Sequence, residues 1–310
     1  MRTAAGAALA AAMVVVPALS LAAGEDELVS LINARRAETR GCNGAREAAA
    51  GPLAPSPALA RVDTAAVGGD LGKALIAAGY RAAMATTVVV SGVAEARDAA
   101  RLVEQQHCDA VRNRRYAEIG VGRTGTTWRI NLAAPLLAGD LGDWRDAGQA
   151  VLRFVNEARQ RGGVCGKQRF AATPALTWSD RLAAAALAHS SDMAQHDYFD
   201  HVDRRGTGVA GRARRQGYAW RVVGENIAAG QGSAQQVVAG WLASPGHCAN
   251  ILSPDFREMG AAYALNPKDR GAHAARDRRQ DARRTRLSSS RISSAAPIEI
   301  ALSATLNDGK

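Results

Sequence analysis

Two imidazoles and one carboxylate in the C-terminal half, His201, Glu225 and His247, each sit where the local pattern turns or changes type. Such a trio could hold a divalent cation such as Zn2+ or Mg2+ at an open site, or work as a proton donor and acceptor. The intervals of 24 and 22 residues are no recognised ligand spacing, so residue type carries the suggestion and spacing does not. Taken singly, a histidine is more often a hydrogen-bonded structural residue than a ligand. His247 precedes Cys248 in the stretch SPGHCANIL, and Pro245-Gly246 is a strong turn signal, which places both side chains at the start of a short helix.

The elements that must position these residues begin after an N-terminal leader. Arg2, the apolar run from Ala4 to Val16, Pro17 and the small residues that follow read as a signal peptide over 1–23, with a mature chain beginning near Gly24. The run is shorter than the roughly 20 residues that span a bilayer, and no later segment is a transmembrane candidate. Export makes Cys42, Cys108, Cys165 and Cys248 candidates for disulfides, and the absence of CxxC spacing argues against a thiolate–zinc site. Half of the net charge of +10 lies in residues 268–310, which hold ten Lys or Arg against five Asp or Glu. Nucleic acid is therefore not expected as a partner of the folded part.

The chain repeats itself. LVSLINARRAETRGC, ending at Cys42, answers VLRFVNEARQRGGVC, ending at Cys165. PSPALARVDTAA answers ATPALTWSDRLAAAA, Gly79-Tyr80 answers Gly217-Tyr218, His107-Cys108 answers His247-Cys248, and YAEIGVG answers FREMGAA. Leu59 to Tyr80 is 21 residues against 42 from Leu176 to Tyr218, whereas Tyr80 to Cys108 is 28 against 30, so the length difference is one deletion in the first copy. The repeat implies bridges within each copy, Cys42–Cys108 and Cys165–Cys248, with pairing across copies as the alternative. Leu136 to Gly148, rich in Gly and Asp, reads as a linker.

Periodicity predicts a helix over Glu25–Arg40 with Leu28, Leu31 and Ile32 on one face. In the second copy Ser179 caps a helix whose face carries Leu182, Ala186, His189 and Met193, ending at Asp197–Asp200. A glycine-punctuated loop over 206–211 leads to a basic helical turn over 212–216, then a strand edge or turn at 224–228, a helix over 234–242 and a strand at 259–264.

HSSDMAQHDYFDH (189–201), GENIAAG (224–230), VVAGWLASPGHCANIL (237–252) and FREMGAAY (256–263) resemble the CAP superfamily of cysteine-rich secretory, antigen 5 and pathogenesis-related proteins, in its bacterial SCP-like form. The resemblance implies an α+β fold, an exported α-β-α sandwich whose cleft holds two histidines and one or two acidic residues. His201, Glu225 and His247 match the cleft positions, while Ser244 stands where other members have a second glutamate. The first copy resembles the family only distantly: the deletion removes its FDH segment, and VVVSG stands where GENIA is expected. The resulting division is a signal peptide over 1–23, a divergent domain over 24–135, a linker over 136–148, a CAP domain over 149–266 and a basic tail over 267–310. A YWTQVF-like strand normally follows the MGAAY segment; here an Arg-rich sequence follows, so the second sheet is expected to lack its last strand, through a shifted reading frame, and the tail to be disordered. The function expected is a secreted or periplasmic, non-enzymatic binding module for an envelope component, a lipid or a protein. The alternative is a hydrolase or protease using a cleft histidine as general base, for which no GxSxG elbow supplies a nucleophile.

Overall fold

The computed structural model describes residues 19–135, 142–266 and 297–304. The N-terminal half runs α1 (Leu19–Arg36), β1 (Ala54–Pro55), α2 (Pro57–Ala60), α3 (Leu71–Ala77), β2 (Ala82–Val90), α4 (Ala96–Arg112), β3 (Glu118–Thr124) and β4 (Thr127–Pro135). Its sheet has the order β1-β3-β4-β2, with β1 parallel to β3 and the other pairings antiparallel. The C-terminal half runs α5 (Trp144–Arg161), a hairpin of β5 (Gly163–Cys165) and β6 (Gln168–Phe170), β7 (Thr177–Trp178), α6 (Asp180–His196) and α7 (Val209–Arg215). There follow β8 (Val222–Ala229), α8 (Ala234–Leu242), α9 (Pro245–Leu252), β9 (Glu258–Tyr263) and β10 (Pro297–Ala304), in a sheet ordered β7-β9-β10-β8.

Helices cover both faces of each sheet. In the N-terminal half α1 and α4 bury Leu28, Ile32, Val103 and Val111 against Ile119, Val121, Ile130 and Leu132, and the α2–α3 side buries Leu59, Val62 and Leu75. In the C-terminal half α5, α8 and α9 bury Val151, Val155, Trp241 and Ile251 on one face, while Leu182 and Met193 of α6 cover the other. This is a mixed α/β architecture consistent with the α-β-α sandwich.

The expected loss of the last strand is overturned. β10 lies between β9 and β8 and pairs antiparallel with both, so it is an inner strand of the sheet and the predicted open edge is absent. The physical reason lies in the sequence PIEIALSA, where Ile298, Ile300 and Leu302 alternate with Glu299, Ala301 and Ser303 in the two-residue period of a strand. The Arg-rich insert delays this strand without preventing its pairing, because loop-closure entropy grows only slowly with length. Residues 267–296 and 305–310 of the tail lie outside the described residues, as do the leader up to residue 18 and residues 136–141 of the expected linker. α5 already begins at Trp144, capped by Asp143, inside the span read as linker. α1 runs through Gly24 and stops at Arg36, four residues before the predicted end.

The two halves use the same local devices. Asn33 Nδ2 donates to Leu53 O at 3.0 Å and its Oδ1 accepts from Leu53 N at 2.8 Å; Asn156 makes the same two bonds to Leu176, at 3.0 and 2.7 Å. Arg36 is buried and donates to the carbonyls of Gly51, Val111, Asn113 and Tyr116; Arg159 is buried and donates to those of Pro174, Ile251, Ser253 and Phe256. Ser56 caps α2 at Leu59 N as Ser179 caps α6 at Leu182 N. A Cβ on Gly120 would lie 2.1 Å from the Leu59–Ala60 peptide and one on Gly260 1.9 Å from Ala183 N, so only glycine lets a helix start lie on the strand.

These equivalences correct two sequence pairings. Leu176 answers Leu53, six residues before Leu59, and does not answer Leu59. The register through β4 and β10 places Thr86–Val90 opposite the positions of Gly224–Ala228, so TTVVV, not VVVSG, stands where GENIA stands. Both disulfides form within halves, Cys42–Cys108 and Cys165–Cys248, as the repeat implied.

Candidate functional site

The site forms at the outer edge of the C-terminal sheet, where β8 is the last strand. Alternation along β8 sends Glu225 to the α6–α7 side and Asn226 to the α9 side. Helix α6 ends at Asp197, whose left-handed φ of 54° reverses the chain and returns it through Phe199 to His201. His201 Nδ1 then lies 2.7 Å from Glu225 Oε2, with the imidazole about half exposed, at 53%, and the carboxylate buried, at 2%.

A buried carboxylate needs a counter-charge. Arg212 of α7 supplies it: its Nη2 donates to Glu225 Oε1, and its Nη1 donates to the carbonyls of His201 at 3.0 Å and Thr207 at 2.8 Å. One guanidinium thus neutralises the carboxylate and ties down the loop bearing His201. Against a carboxylate, which only accepts, Nδ1 of His201 is the donor. The sequence reading recorded a basic helical turn over 212–216 without assigning it a partner; the signal available was the unmatched acidic residue in the GEN segment.

On the other side of β8, Asn226 Nδ2 donates to His247 O at 3.0 Å, and Asn250 Nδ2 donates to Asn226 Oδ1 at 3.0 Å. The start of α9 is therefore fixed to the strand next to Glu225. Pro245 opens this helix as predicted, and Ser244, its N-terminal flanking residue, makes no cap bond because its Oγ lies 2.8 Å from His247 Nδ1. Burial, and then the nearby His201 imidazole, lower the pKa of His247 to about 4, so its ring is neutral near pH 7. Ser244 is 1% exposed and has no open face for a substrate.

The structure thus brings His201 and Glu225 into contact, places His247 near the His201 imidazole, and leaves Ser244 buried. The donors do not fit a three-ligand cation site: both Glu225 oxygens are taken by Arg212 and His201, and among the described residues no group of three His, Cys, Asp or Glu converges on a metal position. The N-terminal half has no equivalent. Thr87 stands at the position of Glu225 and donates from Oγ1 to Asn131 Oδ1 at 2.7 Å, while His107 sits in α4 at a non-helical kink, with φ −137° and ψ 24°.

Residues 152–275 match the family described as CAP, the cysteine-rich secretory protein family. This segment, and not the whole chain, is what resembles that family. Protein YkwD of Bacillus subtilis (strain 168), described as uncharacterized, is 33% identical over 113 residues, which cover 36% of this chain and 40% of that protein. Membrane protein YlbC of the same organism, likewise described as uncharacterized, is 33% identical over 85 residues, 27% of this chain and 25% of that protein. The chain thus spans less than half the length of these relatives. A solved extracellular protein containing a SCP domain, from Bacillus anthracis str. Ames, is similar at 19% identity over 58% of this chain and 52% of its own, with a TM-score of 0.39. No helix among the described residues is long and apolar enough to cross a membrane.

Proposed function

We propose that the chain is an exported tandem of two CAP-type domains, in which the second is a non-enzymatic binding module and the first has lost the cleft. The signal-like leader over 1–23 and the two disulfides support a secreted or periplasmic location. The common strand order, the paired Asn33 and Asn156 bonds and the paired Arg36 and Arg159 carbonyl cages support duplication. The ligand class is an envelope component, lipid or protein, met by the half-exposed His201 and the neutral His247.

The observation that carries the binding reading is the internal satisfaction of the site. Glu225 is spent on Arg212 and His201, Ser244 is buried against His247, and no cysteine is free, so these site residues offer no open nucleophile beside a base among the described residues. The cleft is built to present two imidazoles on a fixed frame, and a cation would be an optional, weakly held occupant without a third ligand.

The test uses the full mature chain with His201→Ala and His247→Ala as controls. Zn2+ and Mg2+ titrations by calorimetry, binding to an isolated cell-envelope fraction, and cleavage of a mixed peptide substrate are measured together. Envelope binding that weakens in both variants, with no cleavage, supports the module. Peptide cleavage that is lost in both variants overturns it in favour of a hydrolase.

A further inference from the structure

The turn that carries His201 is strained, and it is held from two sides. Asp197 adopts a left-handed backbone that costs a non-glycine residue about 1 kcal/mol, and such a conformation persists where its surroundings fix it. Within the CAP domain, Asp200 O accepts from His189 Nε2 at 2.9 Å, and Phe199 packs on Met193 and Ile227. The outer side of Phe199 is covered from the N-terminal half. A Cβ on Gly51 would lie 3.3 Å from the tip of the Phe199 ring and 3.6 Å from Ala229 N, and the Arg114 guanidinium lies 5.7 Å from the ring centroid. Burial lowers the Arg114 pKa, and the charges of Asp197, Asp200 and Glu47 act against that, so the guanidinium lies within electrostatic reach of the carboxylates on either side of Phe199.

Gly51 is itself held in place. Arg36 Nε donates to its carbonyl at 2.7 Å, and Arg36 is fully buried in its own cage. The interface around it is short-range and polar: Gln231 Nε2 donates to Pro52 O at 2.9 Å and Ala117 O at 3.2 Å, Gln236 Nε2 donates to Glu118 Oε1 at 2.5 Å, and Asn33 Nδ2 reaches Ala243 O at 3.3 Å. Gly230 and Gly240 permit the approach, since a Cβ on either would meet Ala117 or Ala54 at 2.9 and 3.4 Å. Arg36 thus fixes Gly51, Gly51 lies against Phe199, and Phe199 stands two residues before His201 in the same turn.

We propose that the N-terminal half, having no cleft of its own, serves as a fixed brace for the cleft of the CAP domain, with Gly51 and Arg114 as positioning residues for the His201 turn. This gives the divergent half a function that its missing carboxylate and FDH segment leave open. It rests on the reading of His201, Glu225 and His247 as the binding cleft, yet its test needs no ligand, so failure of the brace and failure of the binding module are separate results.

The test compares the full chain with Arg114→Ala, Gly51→Ala and the control Arg115→Ala, which alters a neighbouring exposed side chain. Amide hydrogen exchange over residues 199–202 and the imidazole resonances of His201 are read alongside global stability in urea. Loss of an exposed cation–ring contact should speed local exchange about two- to five-fold in Arg114→Ala. Gly51→Ala should shift the His201 resonances, because its methyl must displace the Phe199 ring, and Arg115→Ala should change neither. The brace is overturned if both test variants keep wild-type exchange and resonances, or if exchange changes only by the factor by which global unfolding changes.

Discussion

Thr87 occupies in the N-terminal sheet the register position that Glu225 occupies in the C-terminal sheet. Asn131 of β4 faces Gly120 on one side and Thr87 on the other, as Ala301 of β10 faces Gly260 and Glu225. One half therefore satisfies this edge with a neutral hydroxyl bonded to Asn131, and the other places there a buried charge that recruits Arg212 and His201. At this edge the two halves differ in a single strand position, together with the loop that reaches it.

Glu225→Gln keeps the shape of the side chain and strands Arg212, whose side chain is 5% exposed, without its counter-charge. Breaking one partner of a buried pair costs about 3–5 kcal/mol, which urea unfolding would report. Glu225→Gln combined with Arg212→Met should recover part of that loss. A wild-type midpoint for the single variant would contradict the buried pair.

Stability should fall on mild acidification through His247. Its folded pKa of about 4 lies below the ordinary value of 6.5, so between these pH values the unfolded chain binds a proton that the folded chain refuses. That contribution is present above pH 6.5 and is lost as pH falls towards 4, by up to about 3 kcal/mol. Glu118 works the other way, because burial raises its carboxyl pKa and makes the folded state the better proton binder. Urea curves at neutral pH and near pH 4.5 for wild type and His247→Gln isolate the histidine: the variant should lose about 2 kcal/mol less.

The two disulfides differ in access. Cys42 is exposed, whereas Cys165 and Cys248 are 5% and 3% exposed. Limited dithiothreitol followed by alkylation and mass spectrometry should label Cys42 and Cys108 before Cys165 and Cys248. Closing loops of 66 and 83 residues, each bridge contributes about 4–5 kcal/mol on the chain-entropy model, so Cys42→Ala and Cys165→Ala should each lower the unfolding midpoint.

Truncation before Pro297 removes the strand that pairs with both β8 and β9 and leaves Glu225 on an unsupported edge. The C-terminal half should then lose cooperative unfolding in near-ultraviolet circular dichroism. Replacing 267–296 with a Gly/Ser linker should keep it, because loop-closure entropy depends only weakly on the length and sequence of a connection. Equal damage from both changes would count against the β10 pairing.

Much of the fold was legible because local rules agree with it. Ser179, the alanine-rich helix and Asp197 marked α6 from cap to stop, Ala234–Leu242 was bounded as found, and Pro245-Gly246 placed His247 and Cys248 at a helix start. The repeat predicted both bridges. What failed were readings that depend on distant partners. PALA over 57–60 and PALT over 174–177 look alike, yet the Asn33 and Asn156 side chains select Leu53 and Leu176 as the equivalent residues. PIEIALSA carries a strand period but follows an Arg-rich insert, and only the vacancy between β8 and β9 gives it a place.

Residue type and local order alone supplied the family resemblance, the repeat pattern, the cysteine pairing and the choice of His201, Glu225 and His247 as candidates. Tertiary structure decided that Arg212 neutralises Glu225, that Ser244 is closed to substrate, that Thr87 replaces the acid in the other half, and that Gly51 and Arg114 reach the His201 turn. The reason is electrostatic and steric. A buried charge is satisfied by whichever cation the fold brings within hydrogen-bond distance, and a turn is held by whichever surface packs against it; neither partner is a neighbour in the chain.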